Sequence, residues 1–98
     1  MDNLLKIGIS EETINEMLEN NDPAVVSDLD YNADIVKEVL DNLSFLNKET
    51  LKKLLVHYNL IFGLDEEIIR KVLTAPELKG LKDEIDTEPL LLYEIFGL

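Results

Sequence analysis

The most suggestive chemical pattern in the sequence is an alternation of oxygen-bearing side chains between residues 28 and 35. Its members are Asp28, Asp30, Asn32 and Asp34. Ca²⁺ binds several convergent oxygen atoms, and the first three residues stand at positions 1, 3 and 5 of a calcium loop. Two requirements fail, because Ala33 replaces the turn glycine and Val39 replaces the bidentate glutamate. We expect the competing structure, a polar turn that caps the next helix, and therefore no metal and no other cofactor.

Acidic clusters and a single histidine are the other candidates for chemistry. Glu12, Glu16 and Glu19 lie at helical spacing, close to Glu11. Paired carboxylates act as acid and base only where burial separates their pKa values, and a chain with 21 acidic residues contains such pairs by chance. The same applies to the group Asp83, Glu84, Asp86 and Glu88. His57 is the only histidine, so one chain cannot form a two-histidine metal site. The sequence therefore predicts solvated acidic faces and no enzyme.

The negative charge of the chain is large and unevenly distributed. The net charge is −12, with −8 in residues 1–34, +1 in residues 35–64 and −5 in residues 65–98. Such a surface repels the phosphates of nucleic acids and the headgroups of anionic lipids. We therefore expect no direct nucleic-acid partner and no membrane partner. Solubility is the simplest role of this charge, and attraction of a basic protein is the more specific one.

Several classes of protein are disfavoured by what the sequence lacks. There is no cysteine, so the chain has neither a disulfide framework nor thiolate chemistry. No apolar run is long enough to span a bilayer. The first residues, 1–6, have neither the basic region nor the apolar stretch of a signal peptide. A cytoplasmic protein is the location that we expect.

Helix signals recur along the whole sequence, whereas no segment alternates in the manner of a strand. The predicted N-cap residues are Asp2, Ser10, Asp22, Asn47 and Asp65. Pro23 suits the first position of a short helix, with Val25 and Val26 directed inwards. A length of 98 residues fits one domain, residues 1–98. The sequence thus predicts an all-α protein, a compact array of about five to seven short helices.

Two parts of the sequence resemble each other. Residues 9–18 align with residues 46–55, and residues 35–40 align with residues 68–73. In the first pair the polar cap, a Glu, a Thr and three apolar positions coincide. This similarity predicts a duplicated helix-link-helix unit, about 9–43 and about 46–74, followed by a C-terminal capping segment, 75–98. The alternative is chance, since amphipathic helices with polar caps look alike.

The first unit resembles the repeats of mitochondrial transcription termination factor-like proteins. The similarity lies in residues 4–14, with their leucines and the sequence Gly-Ile-Ser, and in residues 21–26, with their proline. The second unit departs from this pattern, because Asn59-Leu60 replaces the proline and no glycine precedes Leu46. The resemblance implies a helical-repeat architecture. Proteins of that family bind nucleic acid through basic surfaces, a function that an acidic chain is not expected to share.

The sequence therefore predicts a non-enzymatic, acidic, helical module for protein–protein interaction. The residues expected to contact the partner are Glu11, Glu12, Glu16, Glu19, Leu91, Tyr93 and Phe96. The apolar residues of segment 90–96 occupy more than one helical face, so they could dock on a partner or on a second copy in a homodimer. The alternative function is a small acidic regulator that inhibits a nucleic-acid-binding protein by charge mimicry.

Overall fold

The computed structural model describes residues 1–97, so Leu98, the last residue of the predicted capping segment, lies outside the described residues. Within residues 1–97 the chain forms eight α-helices and two short 3₁₀ helices, and no strand. The α-helices are α1 (Asp2–Lys6), α2 (Glu11–Asn20), α3 (Pro23–Tyr31), α4 (Ala33–Asn42), α5 (Lys48–Val56), α6 (Glu66–Leu73), α7 (Lys82–Thr87) and α8 (Leu91–Phe96). The 3₁₀ helices are Asn59–Gly63 and Pro76–Leu81. The predicted all-α fold is confirmed.

The eight α-helices of the described residues are one more than the upper end of the predicted five to seven. The additional helix lies near the C-terminus. The chain after Pro76 forms a 3₁₀ helix and then the separate helix α7. Pro89 disfavours the helical conformation at the residue before it, and Glu88 has φ −135° and ψ 89°. Helix α7 therefore ends at Thr87, and the last helix begins at Leu91.

Three of the five predicted caps form as expected. The N–H of Thr13 donates to Ser10 Oγ at 3.1 Å. The other two are likewise local: Asp22 accepts from Ala24 N–H and Asp65 accepts from Glu67 N–H, each at 2.9 Å. The predictions for Asp2 and Asn47 are wrong. Asp2 is the first residue of α1, which has no side-chain cap, and the Asn47 side chain makes no cap hydrogen bond at the start of α5. Asp86, which is distant in sequence, accepts the backbone N–H of Asn47 there.

The corresponding helices of the two predicted units pack against each other. Helix α2 packs on α5, and α4 packs on α6. Between them, α3 buries Val26 and Leu29, and the 3₁₀ helix Asn59–Gly63 buries Ile61 and Phe62. Val25 is 38% exposed, so the prediction that it faces inwards is wrong. The packing is the arrangement that two stacked units would have, and their common origin stays a prediction.

Additional helices cover both ends of this stack. Helix α1 packs on α3, and the backbone N–H of Leu4 donates to Asp30 Oδ1 at 3.0 Å. At the other end, α8 packs on α6 and on α7. None of the helices in the described range combines the length and the apolar character needed to cross a bilayer.

Candidate interaction surfaces

The most apolar concavity on the described surface lies between α6, the 3₁₀ helix Pro76–Leu81 and α8. We call it the C-terminal groove, and its volume is about 470 Å³. Its apolar lining consists of Ile68, Val72, Ala75, Leu78, Leu81 and Ile95. Ile68 is 48% exposed, although it belongs to the apolar stripe of α6. The groove arises because α6 carries more apolar surface than α4 and α8 cover.

The charges around the C-terminal groove are of both signs. Lys71 and Glu77 contribute to its lining. The net charge of residues 65–98 is −5, so the region as a whole favours a partner with basic side chains beside its apolar contact.

The four glutamates of α2 do not form one uniform acidic surface. Glu11 and Glu19 are exposed. Glu16 and the exposed Glu12 lie beside Lys52 of α5, whose Nζ is 3.1 Å from Glu16 Oε2 and 3.9 Å from Glu12 Oε1. These ion pairs link α2 to α5 and reduce the negative charge that the middle of α2 can offer to a partner.

Helix α8 mostly completes the protein's own core. Its predicted contact residues Leu91, Tyr93 and Phe96 are half-buried and pack against that core, and Leu92 is fully buried. The ring of Tyr93 meets that of Tyr58 edge-on, with centroids 6.2 Å apart. The N–H of Leu60 donates to Tyr93 Oη at 3.3 Å, and burial raises the pKa of Tyr93. The residue of α8 that lines the C-terminal groove is Ile95, which was not among the predicted contacts.

The predicted polar turn between residues 28 and 34 is largely helical. Asp28 and Asp30 belong to α3, Asp34 belongs to α4, and Asn32 joins the two helices. The carboxylate of Asp30 accepts a hydrogen bond from the N–H of Leu4. Asn32 does not cap α4 through its side chain, because its Nδ2 donates back to the carbonyl oxygen of Asp28 at 2.9 Å. In residues 1–97 no group of three or more His, Cys, Asp or Glu side chains could hold a metal ion.

Asp86 is the polar residue that the sequence interpretation missed. Its carboxylate lies at the N-terminus of α5, where Oδ1 accepts the N–H of Asn47 at 2.9 Å and the hydroxyl of Thr50 at 2.6 Å. Lys82 Nζ lies 2.7 Å from Oδ2. Burial opposes ionisation, but the hydrogen bonds from Lys82, Thr50 and Asn47 together hold the pKa of Asp86 below its ordinary value. The spacing of Lys82 and Asp86, one helical turn, was the only signal in the sequence.

Asp86 thus has a structural role. The prediction that it belongs to a solvated acidic face is wrong. Its side chain is 10% exposed, and Thr50 is the only buried polar residue in the described part of the chain. The carboxylate accepts one backbone N–H at the N-terminus of α5, that of Asn47, whose own side chain makes no cap hydrogen bond. It therefore joins α7 to the second helical unit.

Comparison of the chain with models of known protein families, with curated proteins and with solved structures finds no match. The resemblance to mitochondrial transcription termination factor-like repeats therefore stays a prediction. The function has to be argued from the surfaces described above.

Proposed function

We infer that the protein is a non-enzymatic protein–protein interaction module and that the C-terminal groove is its binding surface. The observation that carries this proposal is the half-exposed, almost wholly apolar lining of the groove around Ile68. Removal of apolar side chains in a concave surface from water by a partner lowers the free energy and so favours binding. A cytoplasmic location is part of the same proposal.

The groove fits one turn or two of an amphipathic helix better than a flat protein surface. Its walls are two α-helices and a 3₁₀ helix, so a partner helix could place a few large apolar side chains between them. The net charge of −5 in residues 65–98 favours lysine or arginine beside those apolar residues. The proposed partner is therefore a protein with a basic amphipathic helix.

Two predictions made from the sequence receive less support. Charge mimicry requires free carboxylates in a row, and Lys52 pairs with two of the four glutamates of α2. A homodimer through α8 requires free apolar residues, and Leu91, Tyr93 and Phe96 already pack against the core. Both stay predictions, and the C-terminal groove is the surface that we propose for binding.

Ile68→Gln is expected to weaken the binding of a basic amphipathic helix by about tenfold. The substitution removes an apolar contact equivalent to about 1.4 kcal/mol and leaves the net charge unchanged. The probe is a synthetic helical peptide of leucine and lysine, labelled with a fluorophore. Its dissociation constant is measured by fluorescence anisotropy at physiological salt.

Leu60→Gln is the matched control for this experiment. Leu60 is 58% exposed, and it does not line the C-terminal groove. Its substitution is expected to leave the affinity unchanged. Equal weakening by both substitutions would contradict the groove as the binding surface. Equal affinity for a peptide with glutamate in place of lysine, together with an effect of Ile68→Gln, would retain the groove and exclude the basic partner.

A further inference from the structure

A second concavity lies on another part of the surface, where the α1–α2 link meets α4 and α5. Its volume is about 350 Å³, within the range of small-molecule sites. Its apolar lining consists of Ile7, Ile9, Leu40, Leu51 and Leu55. Lys48 and Lys52 also line it, one helical turn apart on α5. We call this concavity the lysine cleft.

The lysine cleft differs in charge from the other concavities on the described surface. Its lining contains two ammonium groups and no carboxylate, although the chain has 21 acidic and nine basic residues. Four other concavities of comparable size each contain a carboxylate: Glu77, Asp41, Glu16 and Asp30 are examples, one from each. The lysine cleft is therefore the place where this acidic protein best accommodates an anion.

The two lysines have different roles. Lys52 is held by α2, with Nζ 3.1 Å from Glu16 and 3.9 Å from Glu12. Lys48 makes no ion pair within residues 1–97, so its charge is available to a ligand. Thr13 adds a hydroxyl, whose oxygen accepts a hydrogen bond from Ser10 Oγ at 2.9 Å and whose proton can be donated.

We propose that the lysine cleft binds a small apolar carboxylic acid in its ionised form. The apolar part of the ligand lies against Ile7, Leu40 and Leu51, and the carboxylate pairs with Lys48. The apolar walls supply most of the affinity, whereas Lys48 selects an anion over a neutral molecule of the same shape. This site is separate from the C-terminal groove and does not depend on its function.

The test is a titration of the isotope-labelled full chain with decanoate, followed by amide chemical shifts in nuclear magnetic resonance. Saturable shifts are expected at the amides of Ile9, Thr13 and Leu51. Lys48→Gln is expected to raise the dissociation constant about fivefold, in the range of a charge-assisted contact at a half-exposed site. Decan-1-ol, which has the same chain and no charge, is expected to bind about fivefold more weakly than decanoate.

Lys53→Gln is the matched control, because Lys53 lies on the same helix, is exposed and does not line the lysine cleft. It causes the same change in net charge and is expected to leave decanoate binding unchanged. Three results would overturn the proposal: no saturable shifts, equal weakening by the two substitutions, or equal affinity for decanoate and decan-1-ol. Shifts at the cleft with an amphipathic leucine–glutamate peptide but none with decanoate would also overturn it, in favour of a protein ligand.

Discussion

Asp86→Ala is expected to lower the free energy of unfolding by about 2–3 kcal/mol, because it removes a charged acceptor shared by three donors. The donors are Thr50 Oγ1 at 2.6 Å, Asn47 N–H at 2.9 Å and Lys82 Nζ at 2.7 Å. Thr50 is 2% exposed, so water cannot readily replace the lost acceptor for its hydroxyl. The measurement is urea-induced unfolding at neutral pH, followed by circular dichroism.

Asp83→Ala on the same helix is the matched control. Asp83 is exposed and makes no side-chain ion pair in the described residues, so its substitution is expected to change the free energy of unfolding by less than about 0.5 kcal/mol. Similar losses for the two substitutions would mean that Asp86 acts only through the general charge of α7. That result would contradict its role at the N-terminus of α5.

The stabilisation by Asp86 is expected to depend on pH in one direction. Hydrogen bonds hold its pKa in the folded protein below the ordinary value of 3.8. Its contribution is therefore present above the unfolded-state pKa and is lost as pH falls through the lower folded-state pKa. The difference in unfolding free energy between wild type and Asp86→Ala should be constant from neutral pH to about pH 5 and should shrink towards about pH 2. An increase of this difference in acid would contradict the assignment.

The parts of the fold that the sequence predicted are those set by neighbouring residues. Ser10, Asp22 and Asp65 cap helices through backbone groups two or three residues away, and short-range geometry is readable from residue types. Asp86 instead binds the N–H of Asn47, the residue before α5, across 39 positions of the chain. Its acceptor role depends on how α7 packs, which residue types alone do not specify.

The candidate surface was harder to predict for a related reason. Ile68 follows the apolar spacing of α6, and that spacing indicates burial. Its exposure depends on how much of α6 is covered by α4 and α8, a property of the assembled fold. In α8, Tyr93 and Phe96 are partly buried against the core, and their predicted contact with a partner stays a prediction.

Phe62→Ala is expected to have the largest effect of the substitutions considered, a loss of about 3–5 kcal/mol in the free energy of unfolding. Phe62 is 1% exposed and lies in the 3₁₀ helix that links α5 to α6. Truncation removes most of a large apolar side chain and leaves a cavity where α4 and α5 pack against this link. The free energy of unfolding of a native protein is about 5–15 kcal/mol, so this substitution should remove much of the stability. The measurement is again urea-induced unfolding.

Leu60→Ala, in the same 3₁₀ helix, separates burial from local conformation. Leu60 is 58% exposed, so its truncation should lower the free energy of unfolding by less than about 0.5 kcal/mol.

Val26→Ala tests α3, which links the two longer helices of the first unit. Val26 is fully buried but smaller than Phe62, so its truncation should lower the free energy of unfolding by about 1–2.5 kcal/mol. A large loss of unfolding free energy for the Phe62 and Val26 substitutions, with little for Leu60, would mean that both linking helices stabilise the protein by packing into one shared core. A loss at Phe62 below about 1 kcal/mol would contradict this, because the two helices of the second unit would then hold together without their link.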